Sequence, residues 1–168
     1  PHRYNAACCA ALAAAGQGGD ADGVEAEKVR WRKQAVEWLR ADLDLVDRRW
    51  KGARLDPADQ VLSLVGRWQQ APDFAGVRDA PGLGTLTDEE RQSCAKLWED
   101  VEALLRSIRS AKESEAKVLA AVAGGQWPEV KALLAKSLEL LKDASAADLD
   151  NQARRFLTEG DRYAKLQT

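Results

Sequence analysis

The chain has 168 residues, a formal net charge of −2 and a charged fraction of 31%. That length is enough for about one domain with a real core, and its interleaved basic and acidic residues give no electrostatic pull toward nucleic acid. No apolar run of roughly 18 residues is present, which excludes a helical membrane span at the level of sequence.

Helical periodicity dominates and strand alternation is absent, so the fold class expected is all-α. The opening run, Tyr4-Asn5-Ala6-Ala7-Cys8-Cys9-Ala10-Ala11-Leu12, sets one aromatic and one amide before small residues. Small side chains let a second helix approach closely. As a secretory signal, Ala6 to Ala15 with a cleavage site at Ala13-Ala14-Ala15 is too weakly apolar. A second helix begins with Asp22 as cap and Glu25 three residues on. Val36, Leu39, Leu43, Val46 and Trp50 make its apolar stripe, widened by Trp31, Ala35, Trp38 and Leu45. Gly52 ends it.

Asp56-Pro57 opens a third helix, with Val61, Leu62, Val65 and Trp68 as its buried face. Pro72 stops it, and residues 72–86, which hold Pro72, Gly76, Pro81, Gly82 and Gly84, predict a long connection with a short turn near Phe74–Val77. Thr87-Asp88-Glu89-Glu90 is a Thr-x-x-Glu capping box. It starts a helix predicted from about Asp88 to Ala123, with Cys94, Leu97, Trp98, Val101, Leu104, Leu105 and Ile108 inward. Ser110 to Ser114 is polar enough to permit a kink. Gly124-Gly125 close this helix and Trp127-Pro128 open the next, with Val130, Leu133, Leu134, Leu138 and Leu141 as its stripe. Ser145 caps a last helix through Leu149, Ala153, Phe156, Leu157 and Tyr163. The expectation is six to seven helices: a region 1–110 containing the long 72–86 loop, and C-terminal hairpins 111–168 packed on it, or one continuous domain.

Two places resemble tetratricopeptide repeats. Tyr4-Asn5-Ala6-Ala7 looks like the first helix of a repeat, with Gln34 to Leu43 as the second. Gly125-Gln126-Trp127-Pro128-Glu129-Val130 looks like the turn into another, followed by Leu134 and Ser137 to Leu140. The first pair is split by an insertion from Gly16 to about Lys28, and no repeat period is sustained. In the order Asn5 to Cys8, Gln34 to Leu43 and Trp68 to Asp79, residues 4 to about 105 resemble the degenerate C-terminal repeat region of large bacterial Ser/Thr protein kinases and related repeat proteins. The resemblance implies a non-catalytic scaffold that binds a protein or peptide, or its own parent chain, in a groove faced by Tyr4, Asn5 and Cys8. The alternative it implies is a regulatory C-terminal segment of such a kinase, whose catalytic domain is not in this chain. The start at Pro1 and the lack of any Met fit a piece of a longer parent.

Chemistry-bearing patterns are sparse, so no enzyme activity, cofactor or metal is expected. Gly16-Gln17-Gly18-Gly19 follows a helix instead of a strand and lacks the Gly-Lys-Ser/Thr ending of a phosphate loop. Asp20-Ala21-Asp22-Gly23 offers no carboxylate at the first and last positions of a calcium loop. Adjacent Cys8 and Cys9 point about 100° apart on a helix and do not easily share an ion. With Cys94 they form an odd set of three, which predicts free thiols in a reducing, cytoplasmic compartment. Glu89-Glu90 and Glu99-Asp100 read as solvent-facing or dipole-favoured carboxylates. Arg30, Arg32 and Lys33 beside Trp31 would suit a nucleic acid, but Glu25, Glu27 and Glu37 cancel that field. Six Trp residues read first as core and second as the floor of a peptide groove.

Overall fold

The computed structural model describes residues 2–17, 24–51 and 58–140. The expected features at Asp20, Asp22, Gly52, Asp56-Pro57, Leu141 and Ser145 to Tyr163 lie outside these residues, as does the side chain of Leu138. Among the described residues all regular structure is helical. In chain order it comprises α1 (His2–Ala14), α2 (Glu25–Lys51), α3 (Ala58–Gln70), a 3-10 turn (Pro72–Phe74), α4 (Ala75–Arg78), α5 (Ala80–Leu83), α6 (Asp88–Ala123) and α7 (Trp127–Leu140).

The α1–α2 hairpin has the most extensive helix–helix contact. Its inner surface is built from Ala7, Ala10 and Ala11 of α1 and Ala35, Val36, Leu39 and Leu43 of α2, all buried. Small residues on α1 allow that close approach, as the opening run predicts. Gly16 ends α1 with φ 73°, a left-handed conformation that favours glycine. Gly16 N donates to Ala13 O at 3.1 Å and Gln17 N donates to Leu12 O at 2.9 Å, the paired bonds of a Schellman ending. The first glycine of the would-be phosphate loop is therefore a helix stop.

The connection at 72–86 is not the long loop expected. It is a 3-10 turn followed by two short helices, and it carries Phe74 and Val77 into the core at 0% and 1% exposure. Pro72 and Pro81 stand in first-turn positions, where the missing N–H costs no hydrogen bond. The segment is held at both sides. Arg78 Nη1 donates to Ala71 O at 2.7 Å and Trp68 O at 3.3 Å, satisfying carbonyls at the end of α3. Trp98 Nε1 on α6 donates to Val77 O at 2.8 Å.

The Thr87 capping box forms, with Glu90 N donating to Thr87 Oγ1 at 3.3 Å and Thr87 N donating to Glu90 Oε2 at 3.1 Å. From there α6 runs unbroken to Ala123. Its first half buries Cys94, Leu97, Val101, Leu104, Leu105 and Ile108 in the main core. Trp98, expected deep inside, sits half-buried at the edge of that core, because its indole N–H reaches a backbone carbonyl there. Trp31 is not part of the stripe either: it is 38% exposed, with the Arg30 guanidinium 5.6 Å from its ring centre. No side chain between Ile108 and Val118 is buried. Beyond that stretch Val118 and Ala121 pack with Val130 of α7 in a second, smaller cluster.

Candidate functional site

The groove-facing residues expected near the N-terminus do not share one open surface. Tyr4 stacks on Trp68, with centroids 6.1 Å apart and planes 27° apart, and meets Phe74 edge-on at 5.7 Å. Cys8, one turn along the same face, is 9% exposed in the main core. Both turn toward α3 and the 3-10 turn, and of the three only Asn5 is exposed. Burial pushes the Cys8 thiol up to about 11, and burial likewise raises Cys94 to about 11. Thiols held protonated in this way are poor nucleophiles and metal ligands. All three cysteines are free. Among the described residues no group of three or more His, Cys, Asp or Glu is placed to hold a metal ion.

A concave site lies at the other end of α1. A cleft of about 390 Å³ opens where the end of α1 meets the start of α2 and the α4–α5 pair. Ala11, Ala14 and Ala15 form one wall. Gly76, Val77, Gly82, Thr85 and Leu86 form the opposite one. Glu25, Lys28 and Arg32 line it from α2. The far wall depends on a close crossing of α4 and α5: a Cβ on Gly82 would lie 2.6 Å from Gly76 Cα and from Gly76 O. Glycine at position 82 lets the two short helices touch through backbone.

Arg32 organises the polar side of the cleft. It falls in phase with Val36, Leu39 and Leu43, so the stripe of α2 draws it inward, and it is the one buried charged residue among those described, at 8% exposure. Its Nε donates to Glu90 Oε1 at 2.8 Å and its Nη2 donates to Glu25 Oε1 at 2.8 Å. Burial opposes the Arg32 charge, but the hydrogen bonds to Glu25 and Glu90 outweigh it and raise the pKa above its ordinary value. Glu90 is held in turn. Burial works against its carboxylate, while Arg32 and Thr87 donate to it and leave its pKa below the usual value. One carboxylate therefore both caps α6 and ties α6 to α2. Arg40 adds a second tie further along, donating to Ser93 O at 3.2 Å.

Sequence reasoning passed over this site. Arg32 read as part of a basic cluster, although its spacing of 4, 7 and 11 residues from Val36, Leu39 and Leu43 was the signal that it turns inward. Gly76 and Gly82 read as breakers. Compared with family models, curated proteins and solved structures, the chain matches none. No helix of the described residues is long and apolar enough to cross a membrane.

Proposed function

We propose that this chain is a non-catalytic, tetratricopeptide-like helical scaffold that takes a segment of a partner protein into the cleft between α1, α2 and α5. The observation that carries the reading is the composition of the walls. Alanine and glycine on facing sides let a peptide backbone come close, Val77 and Leu86 supply apolar surface, and Arg32 offers a fixed polar anchor. The cleft's volume falls within the range of ordinary ligand pockets. Thr85, a hydroxyl residue lining it, donates its Oγ1–H to Gly82 O at 2.8 Å. The single histidine, His2, begins α1, roughly 18 Å along the helix from Ala14.

A random peptide library displayed on phage, panned against the chain, tests this reading. Enriched sequences are expected to bind the wild type and to lose binding to Ala15→Trp, which fills the cleft from an exposed position. A library that enriches nothing, or enriched peptides that bind the filled variant equally well, would refute it.

A further inference from the structure

Arg32 has two partners of unequal kind. The Glu90 side chain is 14% exposed and is fixed by its bonds to Thr87. The Glu25 side chain is 69% exposed, on the first residue of α2, while the Arg32 side chain it meets is 10% exposed. The acid of this pair is open to solvent, so a second carboxylate reaching the cleft competes with it for the guanidinium. A guanidinium has five N–H donors in a fixed fork. Arg32 uses Nε and Nη2 on the two glutamates, and among the described residues Nη1 donates to no acceptor. Nη1 is also not among the buried atoms left without a partner, so it keeps contact with solvent on a residue that lines the cleft. Lys28 lies one turn before Arg32 on the same helix face, lines the same cleft and enters no ion pair among the described residues.

We propose that the cleft recognises an acidic side chain of its peptide partner. The incoming carboxylate takes the Nη edge of Arg32 in place of Glu25, with Lys28 as the second cation. Glu25 acts as an internal stand-in that keeps the buried guanidinium neutralised until the partner arrives, and Glu90 stays in place as the structural counter-ion. This inference rests on the cleft being a peptide site. It adds which residues choose the partner and what chemistry they choose.

Fluorescence anisotropy with a dansylated peptide of alternating Gly and Glu tests it, beside the Gly/Gln peptide of equal length. The acidic peptide is expected to bind more tightly than the neutral one, and to weaken as salt screens the exposed cation. Glu25→Gln removes the competitor and should tighten the acidic peptide about two- to fivefold, the worth of a solvent-screened pair. Lys28→Ala should weaken it by a similar factor. Thermal melts of both variants show whether the fold is kept. Unchanged or weaker binding by a folded Glu25→Gln, or equal binding of the two peptides, would overturn the inference. Amide shifts separate the two levels. If the Gly/Gln peptide binds equally and moves the Ala14 and Gly82 amides, the cleft remains a peptide site and only the acidic preference falls. If neither peptide moves them, the acidic preference falls together with its premise.

Discussion

Gly82→Ala against Gly76→Ala isolates the contact that shapes the far wall of the cleft. A methyl group on Gly82 would start 2.6 Å from Gly76 Cα and Gly76 O and 2.8 Å from Ala75 O, all backbone atoms that cannot swing aside. To reach ordinary contact, α5 must retreat by close to 1 Å, dragging Leu86 away from the core. Overpacking of this kind costs about 1–3 kcal/mol. Alanine narrows the unfolded ensemble and returns about 0.4–1 kcal/mol, so a net loss of up to about 2.5 kcal/mol is expected. A methyl group on Gly76 meets nothing within 4 Å, so Gly76→Ala keeps only the favourable term and should be neutral or slightly stabilising. Urea unfolding followed by tryptophan emission measures both. Equal stabilities for the two variants, or a Gly82→Ala variant more stable than Gly76→Ala, would show that α4 and α5 do not cross through backbone as described.

Leu39, fully buried at the centre of the α2 stripe, should cost roughly 2–5 kcal/mol when cut to alanine, read from the same urea curves. Native protein treated with a thiol reagent near pH 8 should label Cys9, which is exposed, well before Cys8 and Cys94, whose thiols burial raises to about 11; mass spectrometry of the digest identifies the order. Glu90 supplies an acid-sensitive contribution to stability. Its folded pKa lies below the ordinary 4.5, so the contribution is present above that value and is lost as pH falls below it toward the folded pKa. Glu90→Gln should therefore be less stable at neutral pH and lose less on acidification than the wild type; a parallel fall of the two curves would contradict the Arg32–Glu90 tie.

The helices were legible where one rule decided them. Val36, Leu39 and Leu43 on α2, and Cys94 through Ile108 on α6, keep helical spacing and are buried as that spacing requires. Thr87-x-x-Glu90 marked the start of α6, and Gly124-Gly125 its end. The sequence misled where a residue answers to two rules. Pro72 ends α3 as read, but a first helical turn accepts proline, so Pro72 and Pro81 also open short helices, which Phe74 and Val77 pin to the core. Arg32 looked like surface charge because its partner Glu90 lies 58 positions away, even though its phase with Val36, Leu39 and Leu43 turns it inward. Tyr4 and Cys8 were assigned to a groove by likeness to a repeat. Trp68 and Phe74, brought in by the 72–86 segment, fill that side of α1 in this chain.

The most direct measurement of the central claim is an amide chemical-shift map of the isotope-labelled chain titrated with a library-selected peptide. The account predicts that the shifts concentrate at Ala11, Ala14, Glu25, Lys28, Gly76 and Gly82, and that Ala15→Trp abolishes them. Saturable shifts confined to α7 or to the exposed Trp31 face, with the cleft amides unmoved, would contradict it.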